Sequence, residues 1–432
     1  MKYYSLNKNS PVVDFKEATI RGLAPDKGLY FPESLPYIDK EFFIQINSFS
    51  DEEIAFKVIQ PYVGDVIPEA ELRRIVHETI NFDIPLKKIN ESIYSLELFH
   101  GPTLAFKDVG ARFMSRCLGY FVKNSDKKVT VMVATSGDTG GAVANGFYNV
   151  DGVEVVILYP SGKVSKVQEK QLVTLGNNIH AVEINGTFDD CQKLVKQVFS
   201  DEVLNKELFL TSANSINVAR WLPQQFYYFF AWKQWPDKSN PPVISVPSGN
   251  FGNICAGLLA HLSGLPVQHF VAACNANKVI PEFLQTQNYV PQKAIATISN
   301  AMDVGDPSNF VRILRLFNNQ FIDLKNALSS YSVSDEETRQ TIKEVFENKN
   351  YLTDPHGAVA YFALKTYLQN HPEQKGIFLE TAHPVKFYDV VQTVIQQPIS
   401  IPENVQSILN KEKQSLVMQA DFEDLKEYLL SK

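Results

Sequence analysis

Five short apolar runs constrain this chain more than anything else in it. They are "VTVMVATS" (129–136), "VEVVILYP" (153–160), "PVISVPSG" (242–249), "HFVAACN" (269–275) and "KGIFLETAHP" (375–384). Each holds β-branched or other apolar residues and runs out into turn-forming text, with helical patterns in the intervals. Short apolar strands alternating with helices fold into parallel sheets buried on both faces, because each crossover lays a helix against the sheet. The expected class is therefore α/β. In open sheets of this kind ligands bind just past the carboxyl ends of the strands. Four of those ends carry clusters of Ser, Thr, Asp, Asn or Gly, so the chemistry is sought there.

Composition narrows the function. A chain of 432 residues suits two or three domains. A net charge of −7 argues against nucleic acid or an anionic membrane as the main partner. Cys117, Cys191, Cys255 and Cys274 are far apart, which speaks against a disulfide framework or a zinc site, and the eight histidines form no close pair. The start "MKYYSLNKNS" has no apolar core of a secretory signal, and "FYYFFAW" (226–232) is too short to span a bilayer. A cytoplasmic protein, monomer or homodimer, is the expectation. The first hundred residues read as a helical module, 304–350 as helical with Ser334 as a cap, and 402–432 as amphipathic helix.

The stretch "HGPTLAFKDVGARFM" (100–114) sets a lysine among apolar residues. With Pro102 and Thr103 at the start of a helix, Lys107 shares a face with Gly110, Ala111 and Met114, a face small enough to admit a flat ligand. Asp108 and Arg112 fall four apart and are placed to pair. The positive end of a helix dipole and burial both lower an ammonium's pKa, and a lysine so lowered is a nucleophile for carbonyls. A surface lysine whose stem covers apolar neighbours is the ordinary alternative.

Three loops are candidates for holding anions. In "VMVATSGDTGGAVANGFY" (131–148), Thr135, Ser136, Asp138 and Thr139 stand between a strand and a helix. In "VISVPSGNFGNICAGLLAHL" (243–262), Gly249, Asn250, Phe251, Gly252 and Asn253 do the same, and glycines there permit close approach of the backbone to an anion. Neither loop has the lysine of a phosphate-binding NTPase loop, nor the G-x-G-x-x-G pattern. "SANSINVAR" (212–220) groups Asn214, Ser215, Asn217 and Arg220, the last two on one helical face. Each loop alone could be a plain turn or cap. His383, just past the strand end at Thr381, reads as a structural residue.

Taken together, "GLAPDKGLYFPE", "HGPTLAFKD", "ATSGDTGGA", "SANSINVAR", "PSGNFGN", "SNAMDVGDPSNF" and "TAHPVKF" resemble the threonine synthases of the longer, bacterial and fungal type. The resemblance covers nearly the whole chain. It implies two open, mostly parallel sheets wrapped by helices, in the tryptophan-synthase-β-like fold of pyridoxal 5'-phosphate enzymes, with an N-terminal helical module. The expected division is 1–95 for that module, 96–125 with 216–432 for a cofactor domain, and 126–215 for a smaller substrate domain. The resemblance implies Lys107 as the lysine bonded to the cofactor, Gly249 to Asn253 around the cofactor phosphate, Thr381 at the pyridine nitrogen and Asp138 near the 3'-oxygen. Thr135, Ser136 and Thr139 would face the substrate, O-phospho-L-homoserine. Asn214, Ser215, Asn217 and Arg220 would hold its phosphate, with Lys163 a further candidate. The implied reaction is γ-elimination of phosphate followed by addition of water at the β carbon. A phospholyase or a serine/threonine dehydratase would share Lys107 and "GNFGN", and a non-catalytic relative would keep the scaffold; the cluster at 214–220 favours a phosphorylated substrate.

Overall fold

The five apolar runs are strands, and segments of weaker pattern join them to complete two sheets. The structure, a computed structural model, describes residues 1–123 and 128–432. The larger sheet has six strands in the order Leu328–Ser332, His269–Cys274, Val243–Pro247, Gly376–Glu380, Ile93–Glu97 and Leu86–Lys88. Every neighbouring pair is parallel except the last. The smaller sheet has five parallel strands in the order Ser415–Gln419, Ile179–Asn185, Val153–Pro160, Val129–Ala134 and Phe209–Ser212. Strands Val129–Ala134 and Val243–Pro247 are buried at every residue. Helices cover both faces, which is why these strands read as continuous apolar runs and not as alternation.

The N-terminal segment holds helices Phe15–Arg21, Asp51–Val63 and Glu69–Thr79, but also a three-stranded antiparallel sheet of Val13–Asp14, Lys2–Ser5 and Tyr30–Pro32. Strands of two to four residues are too short for a period to show in sequence. Two other helical readings are likewise incomplete. Within 304–350 the helix Asp335–Lys349 carries the expected Ser334 cap, with Glu337 reaching back to it, yet Leu328–Ser332 is a strand on the sheet's edge. Within the tail, Ser415–Gln419 is a strand between helices Glu403–Leu409 and Phe422–Leu430. It is an edge strand with Leu416 and Val417 exposed, so it lacks the burial alternation that marks a strand.

The sheets also apportion the chain differently from the division at 95, 125 and 215. Strands Leu86–Lys88 and Ile93–Glu97 belong to the larger sheet, and the tail crosses to the smaller one, where Ser415–Gln419 pairs with Ala181 to Asn185. Helix Phe226–Gln234, the aromatic "FYYFFAW" stretch, is buried from Phe226 through Trp232. No helix among the described residues is long and apolar enough to cross a membrane.

Candidate active site

Because the strands are parallel, their turn-rich carboxyl ends gather on one side of each sheet, and a cavity opens there. Lys107, Thr135, Ser136, Asp138, Thr139, Asn214, Ser215, Arg220, the loop Gly249 to Asn253 and Thr381 all line it. Sequence distance is closed by the fold: these residues come from four strand ends, the helices that follow them, and the first turn of one further helix.

That helix, Lys107–Val122, begins four residues later than "PT" suggested. Leu104 takes φ +58, which breaks the turn, and residues 104–106 lie along the end of strand Gly376–Glu380 instead. Phe106 N–H donates to Thr381 O at 2.9 Å and His383 N–H to Leu104 O at 3.0 Å. Tyr227 donates its hydroxyl to Phe106 O. These bonds fix where Lys107 emerges, beside Thr381. The small face of the helix does not admit a ligand. A Cβ on Gly110 would stand 2.6 Å from Arg220 O, and Ala111 packs on Gly146; Met114 is core. The small residues let the helix carrying Lys107 approach the segment carrying Arg220. Asp108 and Arg112 do not hydrogen-bond each other either: Asp108 accepts from Thr103 N and Oγ1 at 2.9 and 2.5 Å, while Arg112 donates to Glu78 O and Asn81 Oδ1.

Lys107 sits at the positive end of its helix and half-buried. Burial brings its ammonium down to about 8; Asp138 works against this, and Lys386 and Arg220 add to it. Asp138 is itself buried. Burial alone would raise its carboxyl, but the Lys386 and Lys107 ammonium groups outweigh that and hold it below the ordinary range. Its Oδ1 accepts from Lys386 Nζ at 2.9 Å and from Gln168 Nε2 at 2.8 Å.

The loop after Val243–Pro247 turns through Phe251 at φ +60 into helix Gly252–Leu262. Gly249 is required for packing: a Cβ there would meet Ala301 O and Met302 Cα, each at 2.8 Å. Asn253 ties the loop to its strand through Nδ2 and Pro247 O at 2.8 Å. The first-turn amides of this helix suit an anion. In the smaller sheet's loop, Thr135 Oγ1 accepts from Gly137 N–H at 3.0 Å and Gly140 N–H at 2.8 Å, so this hydroxyl shapes the loop. Arg220 is buried. Its Nη1 donates to Ala213 O at 2.7 Å, while Nε has no hydrogen-bond partner among the described residues. Burial lowers this guanidinium to about 10. Nε lies against the Gly110 face, 3.3 Å from where a Cβ there would stand, and the Arg220 side chain still lines the cavity as a buried cation.

Two predicted residues are elsewhere. Asn217 faces inward as the cap of helix Val218–Trp221, accepting from Ala219 N–H at 3.0 Å and donating to Thr19 O at 2.9 Å, so it does not share a face with Arg220. Lys163 is exposed on the turn after Val153–Pro160 and does not line the cavity. His383 accepts from Val385 N–H at 3.1 Å and caps the turn Pro384–Phe387; burial lowers it to about 4, so it stays neutral, in keeping with a structural role. Three residues escaped sequence reasoning. His356 lines the cavity and accepts from Ala301 N–H at 3.3 Å, with Asp354 on its other nitrogen. Glu380, behind Thr381, accepts from Asp354 N–H at 2.6 Å. Lys386 is fully buried beside Asp138. A lysine between Val385 and Phe387, in the same apolar setting as Lys107, was the one available signal.

The amine that is easily neutralised, the amide-lined loop and the Thr381 hydroxyl fit an aldehyde-bearing, phosphorylated pyridine. The family described as pyridoxal-phosphate dependent enzyme matches residues 81–379. Fold and site together define a pyridoxal-phosphate-dependent enzyme. The patterns for the threonine synthase N terminus and C-terminal region match residues 2–80 and 357–429. The chain is 44% identical over 434 residues to threonine synthase of Haemophilus influenzae, covering 100% of both. It superposes on the crystal structure of threonine synthase from Escherichia coli with a TM-score of 0.94 at 43% identity, covering 100% of both chains. On the pyridoxal-phosphate-bound threonine synthase from Brucella melitensis the TM-score is 0.93 at 33% identity, with 99% and 98% covered. The chain belongs to the threonine synthase family and is a pyridoxal-phosphate-dependent lyase of amino-acid biosynthesis.

Proposed function

We propose that the chain converts O-phospho-L-homoserine and water to L-threonine and phosphate. One observation supports this most: the lowered amine of Lys107 and the buried guanidinium of Arg220 line the same cavity. An amine for the cofactor and a cation for a second anion are what a phosphorylated amino acid requires.

In this reading Lys107 bonds the cofactor, the amides of Gly249 to Asn253 receive its phosphate, and Thr381 offers a hydroxyl to its ring nitrogen. Bound pyridoxal phosphate supplies the electron sink for charge developing next to the substrate's amine. The chain's own residues do the rest. Lys107 Nζ, partly neutral near pH 8, takes and returns the proton at the α carbon. Arg220, Asn214 and Ser215 hold the substrate's phosphate, and donors there lower the cost of its departing charge. Ser136 and Thr139 reach the substrate's carboxylate from the smaller sheet, with Thr135 bracing their loop. Asn217 and Lys163 have no part in this assignment. The smaller sheet, with its returning tail, serves as the substrate unit, and the larger sheet as the cofactor unit. The four free, buried cysteines favour a reducing compartment, the cytoplasm.

The test is phosphate and threonine release from O-phospho-L-homoserine with pyridoxal phosphate present. Equal release of the two supports the proposal. Phosphate without threonine makes the chain a phospholyase, and turnover of serine or threonine alone makes it a dehydratase. K107A must lose both the visible cofactor absorbance and turnover.

A further inference from the structure

Two lysines act on Asp138, and the second is not explained by the reaction. Lys386 Nζ lies 2.9 Å from Asp138 Oδ1, with side chains 0% and 3% exposed. Nζ also donates to Thr103 O at 2.8 Å, in the loop that leads to Lys107. The Lys386 carbonyl accepts from Ser165 Oγ at 2.8 Å, on the smaller unit. Lys386 is therefore clamped between the unit that carries Lys107 and the unit that carries Asp138.

A buried ion pair is a poor source of stability, since apolar residues of similar volume often do as well. This one has an electrostatic consequence at a neighbour. The charges acting on Lys107 are Asp138, which favours its ammonium, and Lys386 and Arg220, which oppose it. Asp108, one residue along the helix, is occupied by Thr103. Lys107 and Asp138 line the same cavity, so with Lys386 removed Lys107 is the cation left to Asp138.

We propose that Lys386 is a positioning residue of the active site: it occupies the Asp138 carboxylate that would otherwise pair with Lys107, and so leaves Lys107 free to act as a neutral amine. The inference rests on Lys107 being the lysine that bonds the cofactor.

The experiment is competitive acetylation of the full-length, cofactor-free protein with acetic anhydride across pH, read as the labelling of Lys107 by mass spectrometry. The expected wild-type midpoint is about 8. In K386M the midpoint rises by about one pH unit or more, so labelling below it falls about tenfold. In D138N it drops, and in K386M/D138N it returns toward the wild-type value. A purely structural Lys386 would change thermal stability and leave the midpoint alone; an unmoved midpoint in K386M overturns the proposal. If K386M does not fold, K386Q decides: a raised midpoint supports the proposal and an unmoved one overturns it. A separate control distinguishes failure of the underlying reading. Wild type mixed with pyridoxal phosphate and reduced with borohydride must carry the adduct on Lys107, and an adduct elsewhere sinks the lysine assignment itself.

Discussion

Gly110→Ala separates the two readings of the helix face below Lys107. The added Cβ would stand 2.6 Å from Arg220 O, whereas ordinary contact begins at 3.4 Å, so the segments must part by about 0.8 Å. Overpacking of this kind costs about 1–3 kcal/mol. Alanine's better helix propensity returns about 1 kcal/mol. The net loss is about 0–2 kcal/mol, which lowers the melting temperature by a few degrees at most. The effect on catalysis is larger than that. The displaced atom belongs to Arg220, whose guanidinium is the candidate partner of the substrate phosphate, and a shift approaching 1 Å costs up to about a hundredfold in rate. We expect kcat/KM for O-phospho-L-homoserine to fall by about ten- to a hundredfold while the cofactor's visible absorbance is retained. Steady-state phosphate release and a spectrum of the purified variant measure both. An unchanged kcat/KM with an unchanged melting temperature refutes the packing argument. Loss of cofactor as the first defect would mean Gly110 borders the ring after all.

Four further outcomes follow from the site. R220A removes a buried cation and should cost on the order of 2–5 kcal/mol of transition-state binding, with cofactor absorbance intact; parallel loss of both makes Arg220 structural. Cofactor capture by Lys107 should rise about tenfold per pH unit up to about 8 and then level, because the ammonium cannot attack and the neutral amine can. Borohydride trapping measured against pH gives the midpoint, and a value above ~10 would show an ordinary solvated lysine. N217A should destabilise the fold by about 1–3 kcal/mol through its lost cap and ties, without a selective rise in KM. K163A should alter neither stability nor KM; a large rise in KM would return Lys163 to the phosphate site.

The parts of the site legible in sequence are those whose signal is local. Gly249 to Asn253 and Thr135 to Thr139 announce themselves by glycines and hydroxyls at the end of an apolar strand, and Lys107 by an ammonium in apolar text. The parts that were not legible depend on distant partners. Lys386 meets Thr103 from 283 residues away, and nothing in "HPVKF" specifies that meeting. Asn217 and Arg220 show the converse: their spacing is helical, but capping turned Asn217 toward Thr19 and away from the cavity. In the fold, the five apolar runs are strands, whereas Ile93–Glu97 and Ile179–Asn185, also inside their sheets, are interrupted by polar residues and show no such run. The missed strands Leu328–Ser332 and Ser415–Gln419 lie on sheet edges, where half-exposure dilutes the pattern.

The strand Ser415–Gln419 sets the order in which this molecule can be finished. Four strands of the smaller sheet lie between Val129 and Ser212, but the fifth arrives only after the whole larger sheet has been made. During synthesis the outer rim at Ile179–Asn185 waits with its backbone unpaired, a template for foreign strands until the tail comes home. This late-made segment therefore acts as the clasp of the smaller sheet. Its amides should exchange with deuterium sooner than those of Val153–Pro160, and slower exchange there would contradict that role.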